Sequence, residues 1–339
     1  MDEENVKNEL RVKEIKNKLL IGMDIGGSLT KICIITKKED KEINDYLNSI
    51  KDLKYIEIDS FKLYFKHFLT INFKKDIFPY LIEINKKIKI DKIEATGGGA
   101  YKFYDITKTE LNIELIKNDE LLSLVYGYKF LNKYSSFYEI DNNISKPISP
   151  SEFAFPHITV NIGTGVSFLK VTSLDKYERI GGTLLGGGSF IGLAKKMIEM
   201  DNYDEIIELA SKGNYENVDL TLKDIMKEDS KSENSVVSSF GKIPEYIQKG
   251  IKNNLRKEDI ALSLLNMICT EIAQYGILYA EKYNIDTIYY FGTFTKNIAI
   301  INQTINNVSK NMNKNIKVRF NKFEGYLGAI GSLLKKNNN

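Results

Sequence analysis

Sulfur, imidazole and indole are all scarce in this chain. Its 339 residues include two cysteines, two histidines and no tryptophan. Cys33 and Cys269 stand too far apart for a metal or redox spacing, and His67 and His157 alone cannot build a His-rich metal site. Such thiol usage reads as that of a reducing compartment. An excess of one charge is missing too. The 48 Lys+Arg against 45 Asp+Glu leave a net charge of +3, too small a field to make nucleic acid the expected partner. No apolar run approaches the roughly 18 residues that span a bilayer. Asp2, Glu3, Glu4 and Glu9 put acid where a signal or transit peptide has none. Together these absences predict a cytoplasmic protein with neither a membrane nor a nucleic acid as partner.

What is present suits a globular chain. Apolar residues make up 42% and charged residues 27%, and the length suits two lobes. Residues 1–18 read as a charged arm, 19–152 as a first lobe and 153–335 as a second. The Asn-, Ser- and Lys-rich stretch 132–152 reads as the loop at the boundary. Within the first lobe, LLIGMDIGGSLTKICIIT (19–36) has the pattern strand, glycine tip, strand. HITVNIGTGVSFLKVT (157–172) repeats that shape. Helices are expected over 76–90, around 118–131 and over 259–282, where Cys269 is a buried small hydrophobe. A terminal helix over 324–335 is expected to pack back on the first lobe. Two such hairpins, each opening a lobe, predict an α/β fold with a duplicated βββαβα core.

The hairpin tips carry the chemistry. At Gly26 and Gly27 no Cβ keeps an anion from the backbone N–H groups. Ser28 adds a hydroxyl, Lys31 a point charge for phosphate, and Asp24 a carboxylate of the kind Mg²⁺ takes alongside water. Taken alone, this stretch is equally an ordinary hairpin with a surface lysine. The second tip, Gly163-Thr164-Gly165 with Ser167 beyond, shifts the balance towards a nucleotide cleft between two lobes. Gly97–Gly99 and Gly186–Gly188 are further glycine turns before helices, where anions bind readily. Asp119 and Glu120 open a helix and favour its positive end. They point about 100° apart, so only one of them can face a cleft.

These residues stand in a wider set of motifs: DIGGSLTK (24–31), ATGGGAYKF (95–103), NDELLSLVYGYKFL (118–131), VNIGTGVSFLKV (160–171), YERIGGTLLGGGSFIGL (177–193), ENSVVSSFGK (233–242), IDTIYYFGTF (285–294) and FEGYLGAIGSLL (323–334). In that order the chain resembles the type II (eukaryotic-type) pantothenate kinases over residues 19–335. The resemblance implies the two-lobed actin-like ATPase (ribonuclease H-like) fold and ATP-dependent phosphorylation of pantothenate, the first step towards coenzyme A. It implies Glu120 as catalytic base, with Thr164, Ser167 and Arg179 on the substrate. It also implies Mg²⁺ and ATP held by Asp24, Gly26, Gly27, Ser28, Lys31, Gly163, Thr164, Gly165, Gly187 and Gly188, with Gly292, Thr293 and Phe294 at adenosine. A dimer is implied, of identical chains or with a paralogue, as is feedback inhibition by acetyl-CoA or CoA. The SVVSSFG stretch falls near the family's dimer interface. The chain departs from the family at Thr293, where Asn is commoner, and in having no tryptophan for the partner's pocket. Two other readings are a sugar kinase of the same superfold and a catalytically weak regulatory subunit paired with an active paralogue.

Overall fold

The computed structural model describes residues 19–334, apart from 135, 175, 227–234, 251–254, 296–297 and 323–324. The arm expected over 1–18 lies outside the described residues. The first apolar run forms β1 (Leu19–Ile25), which turns at the glycine tip into β2 (Leu29–Lys37). The β-branched run Ile32–Thr36 suits a strand buried on both faces, and all five residues are buried. After α1 (Lys41–Ser49) come β3 (Lys54–Ile58) and β4 (Phe61–Leu69). Helix α2 (Phe78–Lys87) starts with Pro79 in its first turn, after a single π turn over Phe73–Ile77. β5 (Lys92–Thr96), α3 (Gly98–Lys102), α4 (Tyr104–Leu111), β6 (Glu114–Lys117) and α5 (Glu120–Asn132) follow.

The second sheet uses β7 (Phe137–Asp141), β8 (Ile144–Pro147), β9 (His157–Ile162), β10 (Val166–Ser173) and β11 (Lys176–Thr183). Helices α6 (Gly187–Met197) and α7 (Tyr203–Ala210) lead to a small ribbon of β12 (Leu220–Thr221) and β13 (Val236–Ser238). Then come α8 (Lys257–Lys282), β14 (Thr287–Phe291), α9 (Ala299–Met312), β15 (Lys317–Asn321) and α10 (Leu327–Ser332).

The two sheets share one plan. The first runs β3-β4-β2-β1-β5-β6 and the second β11-β10-β9-β14-β15-β7-β8. In both, three antiparallel strands (β4-β2-β1 and β11-β10-β9) are followed by two that run parallel to the first strand of the hairpin. Strand β3 is added antiparallel at one edge of the first sheet, and β7 and β8 at one edge of the second. This is the duplicated, ribonuclease H-like core of the actin-like ATPases, as the paired hairpins predicted. Strands β7 and β8 correct the reading of 132–152 as loop. Arg319 pairs with Glu139 and Phe320 with Tyr138, so the second sheet's first strand in sequence lies inside that stretch. Phe137, Tyr138 and Ile140 are buried and are the apolar signal hidden among Asn, Ser and Lys.

Helix α8 alone among the described helices has the length and mean hydropathy to cross a membrane. Here Leu264, Leu265, Ile268, Cys269, Ile272 and Ile277 are buried in the second lobe's core. The terminal helix is shorter than 324–335 and packs on α5 and β1. Glycines make that contact backbone to backbone. A Cβ at Gly331 would stand 1.6 Å from the Ser123 carbonyl oxygen, one at Gly127 would stand 2.0 Å from that of Leu327, and one at Gly22 would stand 2.1 Å from that of Ala329. Gly331→Ala should therefore force the helices apart and destabilise the fold by about 1–3 kcal/mol. Chemical denaturation should show a lower midpoint with an unchanged slope, and an unchanged midpoint would refute this packing.

Candidate active site

The two glycine tips touch. Ser28 Oγ lies 2.8 Å from Thr164 Oγ1, although the residues are 136 apart in the chain. The first tip is held from below by Thr70, whose hydroxyl donates to the Gly26 carbonyl at 2.9 Å and whose N–H donates to that of Ser28. Gly27 faces open space, its nearest neighbour being Thr164 Oγ1, 3.9 Å from where a Cβ would stand. At the end of β1, Asp24 pairs in register with Lys31, and its carboxylate lies 3.6 Å from the ammonium. Gly97 (φ +83°) and Gly328 press on that carboxylate: Cβ atoms there would stand 3.1 and 2.9 Å from its two oxygens. Only glycine fits at either place, so Asp24 is clasped from both sides. Beyond Lys31, a Cβ at Gly325 would stand 4.0 Å from the Lys31 Cε and 3.4 Å from the Thr293 methyl. Lys31 and Thr293 therefore flank one loop.

The second tip closes on itself through Gly163 N–H to Gly165 carbonyl, 2.9 Å. It is then seated on the start of α6. Gly187 N–H donates to the Gly163 carbonyl and Gly188 N–H to that of Thr164, both at 2.9 Å. The Gly187 and Gly188 amides therefore support the hairpin that carries Thr164. Ser167 lies mid-sheet, paired with Asn161 and Gly182. Beside it Val166, Arg179, Ile180, Gly182, Thr183 and Leu184 line a cleft of about 410 Å³. Gly292 (φ +118°) crosses the Ile162 carbonyl so closely that a Cβ would stand 2.1 Å away. Phe294 lies two residues further on. Its ring is 2% exposed between Phe190 and Tyr203, and the Tyr203 hydroxyl donates to its carbonyl.

Asp119 and Glu120 divide as their angular offset requires. Asp119 caps α5 by accepting the Leu122 N–H at 2.7 Å, and it also accepts the Tyr177 hydroxyl at 3.0 Å. Glu120 is the first residue of the helix, and its carboxyl is held above the usual range. The cleft walls desolvate it, Asp24 and Asp119 add repulsion, and Lys31 and Arg179 pull the other way. Glu120 is nonetheless exposed at the helix start, so the cleft's walls desolvate it only in part. The charges of Asp24, Lys31 and Arg179 thus converge on one carboxylate. Tyr177, Thr70 and Gly328 were not singled out from the sequence. Each acts through a partner more than 40 residues away, which no local pattern encodes.

Fold and cleft define a two-lobed actin-like protein whose two glycine hairpins meet beside a perturbed carboxylate. The chain belongs to the Fumble family, whose model matches residues 20–335. It is 33% identical over 93% of its length to a pantothenate kinase of Schizosaccharomyces pombe, of which it covers 81%. It is 37% identical over 72% of its length to pantothenate kinase 1 of Arabidopsis thaliana, covering 66%. It is 32% identical over 95% of its length to mouse 4'-phosphopantetheine phosphatase, and spans only 41% of that protein. A glucokinase from Streptomyces griseus, solved with glucose and AMPPNP, aligns with a TM-score of 0.49 at 11% identity over 93% of this chain and 98% of that one.

The raised Glu120 carboxyl has a stability consequence of definite sign. The folded state holds this proton more tightly than the unfolded chain, so stability is lost as pH rises through the folded value. Glu120→Gln should raise the thermal midpoint at neutral pH, and the gain should vanish below the ordinary carboxylate range, where both states are protonated. A pH series of unfolding curves checks this, and an equal gain at every pH would contradict it.

Proposed function

We propose that the chain is a pantothenate kinase, moving the γ-phosphoryl group of ATP to the primary hydroxyl of pantothenate. The observation that carries this reading is the meeting of the two glycine tips at Ser28 and Thr164, with Glu120 at a helix start where the charges of Asp24, Lys31 and Arg179 act on it. An alcohol is a weak nucleophile, and a carboxylate placed to take its proton as the new bond forms lowers the barrier. A raised carboxyl is nearer the pH at which it must exchange that proton.

The residues fit Mg-ATP. Gly27 leaves its side of the tip unblocked, Lys31 offers a positive charge at the strand end, and Asp24 is fixed by Gly97 and Gly328. No group of three or more acidic, His or Cys side chains gathers among the described residues. Mg²⁺ bound with phosphates needs only one or two carboxylates, because water and phosphate oxygens complete its shell. When bound, Mg-ATP supplies the phosphoryl group and offsets its charge. Lys31 and the tip residues orient the phosphates, Ser167 and Thr164 bind the acceptor, and Arg179 balances charge on the acceptor side. The chain works as a dimer, and acetyl-CoA or CoA competes for the nucleotide cleft. The family resemblance supports both statements.

Coupled ADP release from Mg-ATP, run with pantothenate, with hexoses and with no acceptor, tests this reading. ADP should form only with pantothenate. Glu120→Ala should lower turnover by about 10²–10⁴-fold while ATP affinity stays within a few-fold, because the base acts only in the transfer step. Lys31→Ala should weaken ATP binding itself. Turnover with a hexose alone, or tight nucleotide binding without turnover on any acceptor, would replace the reading with a sugar kinase or a regulatory subunit.

A further inference from the structure

The link between Tyr177 and Asp119 joins two elements that approach the cleft from different lobes. Tyr177 stands on β11, an edge strand of the second sheet, and Asp119 caps the helix that begins with Glu120. The phenol donates to Asp119 Oδ1 at 3.0 Å, and that same oxygen accepts the Leu122 N–H at 2.7 Å. The ring is half-buried and packs into the cluster that contains Leu121 and Leu122 of the same helix. Arg179 lies two residues beyond Tyr177, hence on the same face of the strand. The register shift in β11 comes only after Arg179, where Phe168 pairs with Gly181 and Leu169 with Arg179. Alternation from Tyr177 to Arg179 is therefore unbroken, and the bulge at Ile180 turns the strand away just past the guanidinium. That guanidinium lies over Gly182, where a Cβ would stand 3.0 Å from Nη2.

We propose that Tyr177 is a positioning residue: by donating to Asp119 it ties β11 to the first turn of α5 and so aims Arg179 at the site that Glu120 faces. This rests on the pantothenate kinase reading for its kinetic consequence, and on geometry alone for the placement of Arg179. The hydroxyl touches neither Glu120 nor Arg179. Its effect passes through Asp119 on one side and through two residues of strand on the other.

The test uses the full chain with Tyr177→Phe, Asp119→Ser and the double variant. Tyr177→Phe keeps the ring in its core contacts and removes only the donor, and Ser at 119 keeps a helix cap. Each single variant should lose about 10-fold in kcat, the scale of a sub-ångström misplacement, with ATP affinity unchanged. Asp119→Ser also removes a charge that acts on Glu120. The double variant should therefore lose no more than Asp119→Ser alone, because that variant has already broken the link that Tyr177→Phe breaks. A loss spread equally over ATP affinity and kcat, or losses that multiply in the double variant, would overturn the proposal. A second readout needs no acceptor. Phenylglyoxal modification of Arg179, which is itself exposed, followed by mass spectrometry with Arg256 as internal control, should change its rate relative to Arg256 in Tyr177→Phe, because the guanidinium no longer keeps its place over Gly182. Equal rates at Arg179 would overturn the proposal even if pantothenate proved not to be the substrate. Failure of the wild type to turn over pantothenate, with the Arg179 modification rate still altered in the variant, would overturn the kinase reading and leave the positioning role standing.

Discussion

Everything at the cleft depends on the bare-backbone contact between α10 and the first lobe. Gly127, Gly331 and Gly22 let the terminal helix, α5 and β1 approach to distances that a single methyl group would forbid. Helix α5 begins at Glu120 and Asp24 stands just before the end of β1, so this contact sets how the two carboxylates stand to each other. Gly328, on the same terminal helix, presses on Asp24 directly. The last described helix of the chain thus fixes a residue near its beginning. The cluster containing Leu124, Tyr128, Phe137, Leu327 and Ile330 surrounds the contact with apolar side chains from both lobes. Such close packing tolerates little adjustment.

Rigidity of this kind is what an electrostatic site requires. Asp24 and Lys31 pair across the hairpin and offset each other, while desolvation and the second carboxylate raise Glu120. Were the lobes to drift apart, the repulsion and the desolvation would both weaken, and Glu120 would return to an ordinary carboxyl. The hydroxyl contact between Ser28 and Thr164 marks how close the tips stand with nothing between them. One hydrogen bond between exposed hydroxyls is weak in water, so phosphate oxygens can take its place at small cost.

Much of this was legible in the sequence because it is local. Glycines flanked by β-branched runs specify hairpins, and an acidic pair before an apolar run specifies a helix start. The shared order of the two sheets then follows from repeating one hairpin-led pattern. What was not legible lies where distant partners decide the outcome. Phe137–Ile140 looked like loop because polar residues surround it, yet pairing with β15 makes it a strand. Gly187 and Gly188 sit at a helix start, the usual place for an anion, but the neighbouring hairpin claims their amides. Phe294 follows a tight turn at the cleft's edge, and the turn directs its ring into the core instead. Asp119 and Tyr177 are 58 residues apart, and only the folded chain brings them together.

The central claim is that this cleft delivers phosphate to an alcohol rather than to water. Incubating the protein with Mg-ATP and pantothenate and identifying the product by mass spectrometry and ³¹P NMR tests it most directly. One phosphate ester on the primary hydroxyl, formed in step with ADP, is the predicted result. ADP and inorganic phosphate with pantothenate recovered unchanged would contradict it.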